Sequence, residues 1–173
     1  MNAEDLRSLQ KPLKEMFRES PEKALVTLKA QGRIGENVTC KVQTGRALVE
    51  AGLHSATRGT GLAVCSGDML LEALVACAGV TLAAVATALG ITIHEGTVRS
   101  EGDLDFRGTL GVSKEAPVGF QRIRLFFDLV TTASADELAT LIKLTERYCV
   151  VYQTLCRSPE MNVSIRSEIG TGK

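Results

Sequence analysis

Five side chains in this sequence carry thiols: Cys40, Cys65, Cys77, Cys149 and Cys156. A thiol can be a redox group, a metal ligand or a small buried hydrophobe, and its surroundings decide which. The number is odd and no C-x-x-C pair occurs. Both facts argue against a disulfide scaffold and against a zinc knuckle. The two histidines, His54 and His94, are too scattered to build a metal site. Glu101, Asp103 and Asp105 alternate like one face of a strand. They read as a solvated face, because a cation site needs more oxygen ligands.

Cys77 has the least ordinary setting. It lies inside "GDMLLEALVACAGVTLAAVATALGI", where Met69 to Ile91 carry one charge, Glu72. On a helix its same-face neighbours are Leu70, Ala73, Leu74, Val80, Thr81 and Ala84. Glu72 and Asp68 point away, about 140° and 180° round. Such a helix alone gives a thiol an apolar surround, which raises its pKa and makes it inert. To react, Cys77 needs a cation or a second thiol from another element. Cys149, in "TERYCVVYQTLC", offers a thiol. Cys156 follows it by seven residues, about 10 Å along one helix, too far for those two to bond. Cys40 alternates into a strand face with Val38 and Val42 and reads as core. Cys65, in a loop, and Cys156 read as structural.

The elements that must position these residues follow from periodicity. Residues 3–18 predict an amphipathic helix with Leu6, Leu9, Leu13 and Phe17 on one face, kinked or restarted at Pro12. "ALVTLKAQG", "NVTCKVQTG" and "RALVEAG" predict a three-stranded meander. The long apolar helix starts near Ser66–Asp68, with Ser66 as its cap, and ends at Gly90. "ITIHEGTVRSEGDLDFRG" and "APVGFQRIRLFFDLVTT" predict two long strands. Ser134 and Glu137 open a helix with a capping box, broken near Tyr148–Val151, where β-branched residues cluster. "MNVSIRSEI" predicts a last strand. Strands come in groups rather than alternating with helices, which is an α+β pattern. Residues 1–22 form a helical extension and 23–173 a single domain.

Bulk composition narrows the partners. Lys plus Arg equals Asp plus Glu, 20 each, so nothing electrostatic points to nucleic acid or an anionic membrane. Aromatic residues are 4% with no Trp, which leaves few rings for base stacking. Met69–Ile91 has the length to span a bilayer, yet Glu72 lies inside it and no second span follows. A buried helix of a soluble fold is preferred. The charged N-terminus lacks a secretory apolar core, so a reducing cytoplasm and free thiols are expected.

"GDMLLEALVACAGVT", followed by "YCVVYQTL" with its cysteine 72 residues after the first, resembles the OsmC/Ohr family. "EGDLDFRGTLG", between them, is similar to that family's strand and turn ending in Arg-Gly. The resemblance covers roughly residues 24–168. It implies antiparallel sheets wrapped around long central helices in an intertwined homodimer. It also implies a thiol peroxidase for organic hydroperoxides, with Cys77 as attacking thiolate and Cys149 as resolving thiol. An external dithiol would restore the pair, and no metal or organic cofactor is needed. The resemblance further implies an activating arginine from an early strand, held by a carboxylate. Arg33 and Asp68 are the best matches, with Arg46 and Arg58 as rivals. Two positions depart from the family pattern: Val150 stands where Pro is usual, and Asp68 is shorter and one position displaced. The alternative is a non-catalytic protein of the same fold that binds an apolar small molecule at the dimer interface.

Overall fold

The computed structural model describes residues 2–20, 27, 32–34, 40–43, 48–57 and 59–167, with backbone alone at 9, 13, 32–34 and 40–43. Helix α1 (Ala3–Glu19) opens with a capping box. The Asn2 side chain accepts from the Asp5 N–H (2.8 Å), and the Asp5 carboxylate accepts from the Asn2 N–H (3.1 Å). This satisfies two donors that a helix start otherwise leaves unpaired. The helix runs through Pro12 as one element, so it does not restart there. It packs against the long helix α2 (Ser66–Leu89).

Strands β1 (Gly32–Ile34), β2 (Cys40–Gln43) and β3 (Leu48–Gly52) form an antiparallel meander, and β4 (Val64–Cys65) adds to β3 in parallel; β2 and β3 lie in the predicted runs, whereas β1 lies at the end of the first run and in the turn expected after it. Most of "ALVTLKAQG" lies outside the described residues. Strand β4 delivers the chain into α2, whose cap is Cys65 rather than Ser66, and the Cys65 side chain makes no cap bond. Helix α2 ends as predicted. Gly90 takes φ 73°, a left-handed conformation that suits glycine, and its N–H returns to Ala86 and Thr87.

Strands β5 (Ile93–Asp103) and β6 (Arg122–Thr131) form a separate antiparallel ribbon. Between them lies the short helix α3 (Phe106–Thr109), where the sequence predicted only strand and turn. The inner face of the ribbon, with Val98, Ile123, Leu125 and Phe127, packs on the helices. Gly102 leaves room for the Phe120 ring, which a Cβ at that position would strike. The outer face is paired charge. Arg124 bridges Glu101 and Asp103, and Arg99 meets Asp128. Asp105 pairs with Arg107. Glu101 and Asp103 are therefore a solvated, ion-paired face, whereas Asp105 lies past the end of the strand and caps α3.

Helix α4 (Ala135–Tyr148) begins at the Ser134–Glu137 capping box, and α5 (Val150–Cys156) follows after one residue. Two buried clusters hold the helices to the ribbon. Leu82, Ala86 and Leu141 form one, and Leu74, Ala78 and Cys149 the other. The predicted last strand is not there. Residues 157–167 form no strand, and Val163 and Ile165 are 96% and 90% exposed. The alternation is real, but a strand needs a ladder partner, and among the described residues the segment has none.

Candidate functional site

The site is built at the joint between α4 and α5. Cys149 leaves helical geometry, with φ −73° and ψ 108°. Its N–H closes α4 on the Thr145 carbonyl, and its carbonyl accepts from Gln153 to open α5, both at 2.9 Å. The Gln153 side chain reinforces the corner by donating to the Glu146 carbonyl (2.8 Å). The thiol itself caps neither helix. It turns instead into the cluster with Leu74 and Ala78 of α2, where Cys149 is 1% exposed.

Cys77, half-buried on α2, packs against that cluster. The two predicted cysteines are therefore brought to one cluster, from positions 72 residues apart in the chain. Burial alone pushes the Cys77 thiol up. It is outweighed by the N–H groups of Val151 and Val150, the Cys149 thiol and the Thr81 hydroxyl, which all donate to the Cys77 sulfur. The net result is a pKa below the ordinary thiol value. Cys149 moves the other way. Burial raises it first, and the neighbouring Cys77 sulfur raises it further, against partial relief from the Tyr152 and Val151 N–H groups. Of the two, Cys77 is the more acidic thiol and Cys149 the less acidic.

The other two predicted residues stand apart. Asp68 is exposed in the first turn of α2, beside a groove lined by Leu71, Glu72, Val75, Arg99 and Glu101. By helical geometry it lies about 13 Å along the axis from Cys77, and on the opposite side. The backbone of Arg33 pairs with Lys41 across β1 and β2, and its side chain is outside the described residues, as are Arg46 and Arg58. Among the described residues, no arginine is one of the groups that shift Cys77. Sequence reasoning missed the roles of Thr81 and of the Val150 and Val151 amides. The break at Tyr148–Val151 was the available signal, because an interrupted helix frees backbone donors.

His54 stacks on Phe106, and its Nδ1 accepts from the Ala56 N–H at 3.0 Å. A cavity of about 440 Å³ lies behind the cysteine cluster, lined by Leu74, Phe127, Ile142, Glu146, Tyr152 and Leu155, among others. Burial, then the charge of Glu146, raises the Tyr152 phenol.

A long apolar helix carrying one cysteine, with a second cysteine brought onto it by a later helix joint, defines a class. The chain belongs to the OsmC-like protein family, whose model matches residues 59–164. The chain is similar in fold to an OsmC-like protein from Mycoplasma pneumoniae (TM-score 0.65, 16% identity, 77% of this chain and 89% of that one). It is also similar to an organic hydroperoxide resistance protein OsmC from Legionella pneumophila (TM-score 0.60, 18% identity, 78% and 91%). A third likeness is to an organic hydroperoxide resistance protein from Elizabethkingia anophelis (TM-score 0.58, 19% identity, 78% and 90%). At these identities the likeness is one of fold. No curated protein matches the chain.

Proposed function

We propose that the protein is a thiol peroxidase that reduces organic hydroperoxides, with Cys77 as the attacking group and Cys149 as the resolving thiol. The observation that carries this reading is the packing of Cys77 against the cluster that holds Cys149, with the two thiols shifted in opposite directions. The Cys77 thiolate attacks the outer peroxide oxygen, forming an S–O bond as the O–O bond breaks. The alkoxide takes a proton and leaves as an alcohol, and Cys77 becomes a sulfenic acid. Cys149 then gives up its proton, its sulfur bonds to Cys77, and the sulfenic oxygen leaves as water. Two electrons from an external dithiol restore both thiols. The cytoplasm is the compartment that would supply such a reductant.

The arginine and its carboxylate belong to this proposal as Arg33 and Asp68. On one chain Asp68 sits on the far side of α2 from Cys77, so the pair would approach from a second copy. A homodimer also accounts for the uncovered face of α2. Leu74, Ala78, Leu82 and Ala86 are buried, while Leu70, Ala73, Ala76 and Val80 are exposed. Among the described residues, α2 is the one helix long and apolar enough to cross a bilayer. A helix apolar on all sides is covered by protein or lipid. The site resemblance favours protein.

The cavity behind Cys149 favours a second reading, a non-catalytic protein that holds an apolar small molecule. Thiol counting after one equivalent of an alkyl hydroperoxide separates the two. Peroxidase chemistry removes two thiols from the wild type and none from Cys77→Ser. An unchanged count in the wild type overturns it.

A further inference from the structure

We propose that residues 161–167 are a strap that closes on their own chain, adding as a third strand to the free edge of β6 and covering the cavity of about 440 Å³ behind the cysteine cluster. The proposal stands apart from the reactivity of the thiols and concerns what shuts that cavity.

Three surfaces lack a partner and adjoin one another. The first is the tail. Every residue from Cys156 to Ser167 is exposed, and Met161 is 80% so, beside Val163 and Ile165. In an extended chain these three share one face, and Asn162, Ser164 and Arg166 share the other. One apolar face and one polar face suit a strand that lies on a core. The second surface is β6. Among the described residues it pairs with β5 alone, so its far edge presents N–H and C=O groups without a ladder. The third is the cavity, which is partly open to solvent. Ile123, Leu125 and Phe127 of β6 form one wall, Ile142 of α4 another, and Leu155 and Cys156 of α5 a third.

Connectivity selects the occupant. The chain leaves α5 at Cys156, on the wall of the cavity, and β6 is the wall it faces. Arg157 to Glu160 separate Cys156 from Met161, and that span reaches about 16 Å when extended. The strap therefore reaches the edge of β6 with α5 left in place. Alternate residues of a neighbouring strand continue the inner face of β6, which sets Met161, Val163 and Ile165 over the cavity. Asn162, Ser164 and Arg166 then join the solvated outer face, beside the Arg124 ion pairs. Closure pairs a bare edge and buries three exposed apolar side chains at once. An apolar molecule in the cavity competes with it, so the strap is an autoinhibitory contact.

The test is amide hydrogen exchange on the full chain, read by mass spectrometry, with two variants one residue apart. Val163→Asp puts a charge on the apolar face, where burial opposes it, and Ser164→Asp puts the same charge on the polar face. In the wild type, amides of 161–167 and those of β6 left unpaired by β5 should exchange at least about tenfold slower than in an unstructured chain. Val163→Asp should return both sets to the unstructured rate, and Ser164→Asp should leave both slow. A wild-type tail that exchanges at the unstructured rate overturns the strap. So do equal effects of the two variants, and so does a Val163→Asp that frees the tail while β6 stays slow. Benzoylphenylalanine in place of Asn162, in an equal mixture of plain and isotope-labelled chains refolded together, identifies whose tail is bound. Photolinks to β6 within one isotope support the strap. Links between unlike isotopes assign the edge to the tail of a second copy and overturn it. Hydrogen exchange needs no peroxide, so failure of the strap and failure of the peroxidase reading are told apart.

Discussion

Two cysteines of one cluster differ in acidity because their surroundings differ. Cys77 meets four donors at the edge of a cluster, while Cys149 is sealed inside it. The sign of each shift fixes the pH behaviour. A thiol with a lowered pKa keeps its thiolate as pH falls through the ordinary value of about 8.5, and loses it only below its own midpoint. Stopped-flow reaction with hydroperoxide should show a rate that stays level through that range and then falls. A second expectation concerns the resolving step. Cys149→Ser should accumulate a Cys77 sulfenic acid that dimedone traps, and excess peroxide should carry it to the sulfinic acid, visible by mass spectrometry. The two thiols were legible in the sequence because residue type, an apolar helix and the resemblance all marked them. Thr81 was not, because a hydroxyl inside a helix ordinarily reads as a neutral filler. The amides of Val150 and Val151 were invisible, since they belong to the backbone and depend on where a helix breaks.

At the scale of elements, the site depends on a corner. Helix α4 must end at Tyr148 for Cys149 to swing onto α2, and its other end is set by the Ser134 box. Ser134→Ala should cost about 1 kcal/mol in denaturant unfolding, since it frees an N–H that nothing else caps. Leu141, fully buried between α4 and α2, should cost about 2–5 kcal/mol as Leu141→Ala, by lost burial and the cavity left behind. The long helices, the ends at Gly90 and Ser134 and the break at 148–151 were readable from periodicity and local chemistry, which act within a turn or two, whereas the cap of α2 and the single turn of α3 were not. The strands were less so. The β5–β6 ribbon carries its alternation over ten or more residues and was found. Residues 161–167 alternate equally well yet remain unpaired, because pairing is a property of two segments and not of one.

At the scale of the molecule, α2 is the organising fact. One stripe of it is covered by β5, α4 and α5, and Val80, on another side, is 74% exposed. Light scattering should give a mass near twice the 18.5 kDa of one chain. Val80→Glu should push that mass toward a single chain, since a charge buried without a partner opposes association. The sequence revealed the apolarity of this helix but not which side stays bare, because that depends on how neighbours pack. The central claim is that the two distant sulfurs are a single redox unit. Its most direct measurement is a non-reduced peptide map after one equivalent of cumene hydroperoxide. A linked peptide joining Cys77 to Cys149, absent before treatment and removed by a dithiol, is the expected result. Both cysteines recovered as free thiols, or Cys77 oxidised with no link to Cys149, would contradict it.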